Sequence, residues 1–253
     1  MPSLSVVIIT FNEERNIARC LESVKGVADE VVVLDSFSTD CTKEICQQHG
    51  ADFFQHEFDG HIEQKNRALA FAKHPLILSL DADEALSGKL RESILEIKEH
   101  QALQGYRMNR LNNYCGQWIR HSGWYPDTKL RLWQNDAGHW TGENPHDRFE
   151  LNTDSPTGFL KGDLLHFSYR TVAEHYTQAE KFSVIAAKAL FDKKKTASPL
   201  LPLLKAAAKF IRNYFLKLGF LDGKNGFTIC RITALETFRK YQKLRALHKK
   251  AHN

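Results

Sequence analysis

The sequence predicts an α/β fold, a mostly parallel sheet flanked by helices, with a basic helical appendage at the C-terminus. In the first half, short β-branched runs alternate with helical patterns, the order that right-handed crossovers wind into a parallel sheet. Thr10, Asp35 and the triplet Asp81-Ala82-Asp83 close three of the predicted strands, at the edge where such sheets bind ligands. The charge is also split: residues 1–180 carry 18 Lys and Arg against 27 Asp and Glu, net −9, and residues 181–253 carry 17 against three, net +14.

The first strand is the apolar run from Leu4 to Thr10. Residues 12–24 then place Ile17, Cys20, Leu21 and Val24 on one helical face. Residues 30–34 form the second strand, ending at Asp35, and Ser36, Ser38 and Thr39 are candidate caps for a helix that runs to Gln48 and stops before Gly50. A third strand is expected over 51–56, a helix over 62–73 and a fourth strand over 75–80. A helix over 85–98 follows, with Asp83 or Glu84 at its N-terminus. From residue 104 the pattern turns to aromatic-rich extended runs at 106–111, 118–124 and 129–133. A long amphipathic helix over 171–193 then leads through Lys193-Lys194-Lys195 to Pro199 and Pro202, which mark a boundary.

Hydrophobic residues at 42% and charged residues at 26% are ordinary for a globular protein and exclude collagen-like, disordered and polytopic classes. The five cysteines are odd in number and contain no CxxC pair, which argues against a disulfide framework or thiolate zinc site and for a reducing compartment. Nothing at the N-terminus reads as a signal peptide, and no apolar stretch is long enough to span a bilayer. The basic C-terminal part fits an anionic membrane or nucleic acid. Lys205, Lys209 and Arg212 recur at helical spacing beside a stripe of Phe210, Tyr214 and Leu218, a pattern that suits a membrane interface or packing against the core.

Two carboxylates one residue apart at a strand end reach a common divalent cation, and oxygen ligands suit Mg²⁺ or Mn²⁺. The same triplet also reads as a solvated acidic turn before a helix. No GxGxxG or GxxxxGK sequence is present, so neither the dinucleotide fingerprint nor a P-loop applies. Trp118, Trp124, Trp133 and Trp140 gather in the second half, where indoles stack on sugar faces or fill cores.

Four segments together resemble the family-two inverting glycosyltransferases: residues 4–13 (LSVVIITFNE), residues 31–40 (VVVLDSFSTD), Gln64-Lys65-Asn66, and the Asp81 to Asp83 triplet. Residues 129–133 (KLRLW), residues 140–147 (WTGENPHD) and residues 218–223 (LGFLDG) are similar to the bacterial lipopolysaccharide-core β-glucosyltransferase subgroup. The resemblance implies the GT-A (nucleotide-diphospho-sugar transferase) fold. It implies a catalytic domain over 1–195, with a nucleotide-sugar half (1–103) and an acceptor half (104–195), followed by the basic amphipathic segment 196–253.

Carried over by position, the resemblance places Thr10 and Glu13 in the nucleotide pocket and Asp35 on the base, at uracil N3–H. Lys65 would face the diphosphate, Asp81 the ribose and metal shell, and Asp83 would ligate Mn²⁺ or Mg²⁺ with His166 completing the shell. Asp147 stands where the subgroup has glutamate after histidine and would be the catalytic base, with Glu143 the second candidate. His146 would orient the base or bind a substrate hydroxyl, and Arg131 would contact a diphosphate or anionic acceptor. The activity so implied is metal-dependent transfer of a hexose, glucose from UDP-glucose, to a lipid-linked core saccharide. Its place would be the cytoplasm, peripheral at the inner membrane face, with no nucleic-acid partner. Paired aspartates with a metal also fit a nucleotidyltransferase, and the basic tail alone fits a noncatalytic nucleic-acid-binding protein.

Overall fold

A β-branched run buried on both faces forms β1 (Leu4–Thr10), an interior strand of the sheet in a computed structural model that describes residues 2–100, 102–143 and 146–251, with His146 and Ala251 through their backbone only. Val6 and Ile8 enter one core layer and Val7 the other, so a strand of period two shows in the sequence as a continuous apolar run. Parallel to β1 lie β2 (Glu30–Asp35) and β4 (Leu76–Asp81), and β3 (Asp52–Gln55) adds to β2. The crossovers are α1 (Ile17–Val24), α2 (Thr42–Gln48) and α3 (His61–Leu69). As the spacing predicts, α1 buries Ile17, Cys20, Leu21 and Val24, and each such aliphatic side chain contributes roughly 1.5–3 kcal/mol. The register sets Thr10 beside Asp35 and Ile9 beside Asp81, which brings three strand ends into one row.

Local structure departs from expectation where polar side chains have other partners. Residues 12–16 are a turn, and α1 starts only at Ile17. The hydroxyls of Ser36, Ser38 and Thr39 do not cap α2, whose N-cap is Cys41. Ser38 Oγ instead accepts the Asn12 N–H at 2.8 Å and donates to Asp35. The helix expected from Ala85 begins three residues later, because Glu84 to Leu86 form a short strand, β5, paired antiparallel with β11 (Thr157–Tyr169). Ser87 rather than Asp83 or Glu84 caps α4 (Gly88–Glu99), its Oγ accepting from the Leu90 N–H at 3.3 Å. Gly162 is required opposite that cap: its φ is +94°, and a Cβ there would meet the Leu90 nitrogen at 2.4 Å.

Contacts group the chain into two units, Met1–Arg110 with Asp127–His166, and Leu111–Pro126 with Phe167–Asn253. The long helix after β11 falls in the second unit because it packs on the C-terminal helix. In the first unit β4 pairs antiparallel with β8 (Asp127–Gln134), and β8 with the first part of β6 (Gly105–Tyr114). A separate hairpin joins β9 (Gly138–Glu143) to β10 (His146–Leu151).

In the second unit β7 (Gln117–Ile119) pairs with Asn112 to Tyr114. The helix predicted over 171–193 is α5 (Val172–Asp192), opened by a capping box of Thr171 and Glu174. α6 (Leu201–Ile211) runs into a π-helical turn (Arg212–Leu216) and a 3₁₀ turn (Gly219–Asp222), and α7 (Gly223–Ala251) packs against both α5 and α6. The core here is aromatic: the ring of His175, 4% exposed, stacks on Tyr169 at 4.6 Å, with its Nδ1 3.1 Å from the Tyr114 hydroxyl.

Burial lowers the His175 pKa from 6.5 to about 4. Between those values the unfolded chain takes up a proton that the folded chain refuses, so stability falls as the pH falls through that window. The expected loss is about 3 kcal/mol between neutral pH and pH 4. Urea unfolding across this range checks it, with His175→Gln expected to flatten the slope; equal slopes in the two proteins would contradict it.

Candidate active site

Beyond the carboxyl ends of β1 and β4, the first unit holds a cavity of about 460 Å³, within the size range of small-molecule and cofactor sites. Its polar lining includes Thr10, Glu13, Lys65, Asp81, Asp83, Asp147 and His166. These residues come from four strands, two connecting segments and one helix, so the site exists only in the folded chain.

Asp81 sits at the middle of a chain of ion pairs. Its Oδ1 is 2.8 Å from Lys65 Nζ and its Oδ2 is 2.7 Å from Arg131 Nη2. The same Arg131 nitrogen reaches Glu84 Oε1 at 3.1 Å, and Arg110 approaches that oxygen at 3.4 Å while pairing with Asp127 at 2.8 Å. Glu84 is fully buried, and its other oxygen accepts the Asp81 N–H at 2.9 Å. Burial alone would raise the Asp81 carboxyl, but the charges of Arg131 and Lys65 outweigh it and hold that group well below the usual carboxylate range.

Three consecutive residues of α3 project to three parts of the site, as about 100° of helical turn per residue allows. Gln64 donates to Ser36 Oγ at 3.1 Å, and Asn66 exchanges two hydrogen bonds with the Trp140 backbone. Lys65, 5% exposed, bridges Asp81 and Asp147, at 2.8 Å from each. Its ammonium also lies 4.4 Å from the Trp140 ring centroid, with the Arg131 guanidinium 5.4 Å from that ring. Trp140 and Trp133 belong to a buried cluster with Phe149, which makes these two indoles core platforms and leaves no face of them for a sugar.

The pairing of β5 with β11 sets His166 opposite Glu84, and this register carries His166 Nε2 to 3.1 Å from Asp83 Oδ2. One oxygen donor and one imidazole nitrogen therefore adjoin in the cavity lining. Among the described residues no cluster of three or more His, Cys, Asp or Glu side chains suits a metal ion, and both oxygens of Asp81 are engaged by cations. Mg²⁺ and Mn²⁺ bind through as few as one or two carboxylates and take water and phosphate oxygens for the rest, and Asp83 is a carboxylate of that kind.

Asp35 is fully buried and is not part of the cavity lining. Its carboxylate accepts from Thr10 Oγ1 at 2.9 Å, from the Ser38 N–H at 2.8 Å, from Gln55 at 3.2 Å and from the Ser38 hydroxyl. With four donors on two oxygens it holds the neighbouring loops, and a direct bond to a nucleobase would have to displace one of them. Arg131, 3% exposed, is held in the buried network by Asp81 and Glu84. Glu143 is exposed and outside the cavity lining, whereas Asp147 is within it. The side chain of His146 lies outside the described residues.

Several cavity residues escaped the sequence reading. Phe11 and Phe58 line it while 58% and 52% exposed, and Phe58 makes an edge contact with His61 at 5.0 Å. A phenylalanine between Glu57 and Asp59 in a polar loop was a readable sign. The roles of Arg110 and Glu84 rest on partners tens of residues away and left no local signal.

Comparison with known proteins gives a consistent result. Residues 5–150 match the family described as Glycosyl transferase family 2. An uncharacterized glycosyltransferase of Rickettsia typhi is 30% identical over 264 residues, covering 100% of this chain and 90% of that protein. The lipopolysaccharide core biosynthesis glycosyltransferase LpsC of Rhizobium meliloti is 25% identical over 260 residues, covering 94% of this chain and 93% of that one. Among solved structures, that of S. aureus TarS 1-349 in complex with UDP is similar with a TM-score of 0.45 at 14% identity, covering 98% of this chain and 92% of that chain.

Removing Arg131 leaves two carboxylates at the end of β4 short of their counter-charge. Arg131→Met is expected to cost about 3–5 kcal/mol, as breaking a buried ion pair does, and Arg131→Lys to restore only part. Urea unfolding at pH 7 measures this; a cost below about 1 kcal/mol would mean that Lys65 and Arg110 suffice.

Proposed function

The chain belongs to glycosyl transferase family 2 and is a glycosyltransferase, and we propose that it transfers glucose from UDP-glucose, with inversion, to a lipid-linked lipopolysaccharide core saccharide. The observation that carries the reading is Lys65, whose ammonium joins Asp81 to Asp147 in the lining of one cavity while Asp83 and His166 adjoin there. The acceptor class is supported by the similarity to LpsC over nearly the full length of both chains. A lipid-linked acceptor puts the work at a membrane surface. The proposed place is the cytoplasm, at the inner membrane face.

In this reading Thr10, Glu13 and Ser36 border the nucleotide, and Phe11 and Phe58 offer exposed rings for stacking on the base. Asp35 acts from below, fixing Thr10 and Ser38. Asp83 and His166 would hold Mn²⁺ or Mg²⁺, which when bound neutralises charge on the departing nucleoside diphosphate. Inversion needs a base on the side of the sugar away from that leaving group. Asp147 fits: Lys65 anchors its Oδ2, and Oδ1 receives the proton of the acceptor hydroxyl as that oxygen attacks the anomeric carbon. The products are the β-glycoside and UDP, so release of pyrophosphate instead would point to nucleotidyl transfer.

Asp83→Ala is expected to abolish the Mn²⁺-dependent part of UDP binding while the fold stays intact. Titration calorimetry with and without Mn²⁺ decides, and undiminished metal-dependent affinity would remove Asp83 from the site. Asp147→Asn should lower kcat about 10²- to 10⁴-fold with donor affinity nearly unchanged, because a base acts in the transition state. Steady-state kinetics beside Glu143→Gln are the check: near-normal Asp147→Asn with an inactive Glu143→Gln would move the base to Glu143.

A further inference from the structure

Apolar surface is concentrated in one stretch of the second unit. Of the seventeen large apolar side chains exposed among the described residues, ten lie between Leu200 and Phe227. The most open of these are Leu216 at 73%, Leu200 at 68%, Leu204 at 63%, Leu203 at 61% and Leu221 at 57%. They continue into an aromatic cluster in which Tyr214 lies 5.3 Å from Phe210, 5.1 Å from Phe215 and 6.2 Å from Phe220. Monomeric soluble surfaces rarely expose so many apolar groups together without a partner.

The turn that carries Leu216 to Leu221 is held in place and cannot fold its side chains inward. Asp222, 4% exposed, accepts the backbone N–H groups of Arg120 and His121 at 3.2 and 3.1 Å and the Ser122 hydroxyl at 2.9 Å. Gly219 is packed so closely that a Cβ would meet the Asn213 carbonyl oxygen and Cys230 Sγ, each at 2.8 Å. Leu218 adopts a left-handed φ of 52°, a conformation that leucine takes only at some cost. A fixed backbone thus presents apolar side chains to the outside.

The charge around this element is predominantly positive, although Glu236 of α7 lies close enough to act on Lys209. Residues 193–235 contain nine Lys and Arg and a single acid, Asp222, whose carboxylate is used internally. No helix among the described residues is long and apolar enough to cross a membrane. We propose that α6 and the two turns after it form a docking element that lies on an anionic lipid bilayer, with the leucines entering the interface and Lys205, Arg212 and Lys217 meeting the headgroups. The proposal deepens the reading of a lipid-linked acceptor and rests on it for its biological purpose, though vesicle binding requires neither donor nor acceptor. A second copy of the chain is a poorer occupant, because it would set like charges against each other. An anionic bilayer satisfies the apolar and the basic groups together, and two such signals are what stable peripheral attachment requires.

Flotation of the full-length protein with phosphatidylglycerol-containing and pure phosphatidylcholine vesicles tests this. Wild type is expected to bind the anionic vesicles at least tenfold more tightly, and salt to weaken binding. Leu216→Ser/Leu221→Ser and Lys205→Gln/Lys217→Gln should each bind about tenfold or more weakly, with unchanged circular dichroism and Tm since all four side chains are exposed. Anionic-vesicle binding by Leu216→Ser/Leu221→Ser equal to that of wild type, or no wild-type binding at low salt, overturns the proposal. So does a wild-type dimer by light scattering that this variant separates without any loss of lipid binding. Turnover of a soluble acceptor is read in parallel: docking without turnover counts against the proposed reaction, and turnover without docking counts against the docking element alone.

Discussion

A guanidinium buried at the end of β4 is the constraint on which the site depends. Glu84, fully buried, and Asp81, partly so, lie where a parallel strand runs out of partners, and removing a carboxylate from water costs several kcal/mol unless a cation is held against it. Arg131 supplies it from β8, through one nitrogen within 3.1 Å of both carboxylates. The antiparallel addition of β8 to β4 is therefore more than an extension of the sheet. It delivers the positive charge that lets an acidic turn exist at the strand end, and the Glu84 bond to the Asp81 N–H then fixes the shape of that turn. Once Asp81 is committed to Arg131 and Lys65, Lys65 is placed to hold Asp147, and Asp83 is the member of the triplet that faces His166. Asp147 is thus tied through Lys65 to one buried ion network, and the Asp83–His166 pair adjoins it in the same cavity lining.

The first four strands and their polar ends were legible because buried parallel strands leave continuous β-branched runs, and Thr10, Asp35 and Asp81 interrupt those runs where the strands stop. Long-range pairing was not legible. Arg131 and Asp81 are fifty residues apart, and nothing near Arg131 distinguishes a buried counter-ion from a substrate contact. Lys65 and Asp147, 82 residues apart, were each singled out for a substrate role without any sign that they bond one another. Asp35 was read as reaching a base, and nothing in the sequence signalled its hydrogen bonds to Gln55 and Ser38. The strand β5 was missed because three residues, Glu-Ala-Leu, suit a helix start equally well, and only the opposite strand, eighty residues on, decides between them.

The second unit follows a different logic, with aromatic packing around His175 and a carboxylate hub at Asp222 in place of a parallel sheet. Its net positive charge was plain in the composition. The apolar exposure beside it was not, since Leu216 and Leu221 look like core residues in a sequence. What exposes them is backbone geometry, the packed Gly219 and the left-handed Leu218. Polar groups fix loops in both units: Asp35 and Asp222 each gather donors from segments distant in sequence, and each leaves a neighbouring apolar residue outside, Phe37 in one case and Leu221 in the other.

The central claim is that the cavity beyond β1 and β4 is where the nucleotide and the cation meet. An anomalous difference map from crystals grown with UDP and Mn²⁺ tests it most directly. The account predicts one strong manganese peak at the Asp83 carboxylate and His166, with UDP in the same cavity and the Lys65 bridge to Asp81 and Asp147 still in place. Nucleotide bound elsewhere in the chain, or manganese held away from Asp83, would contradict it.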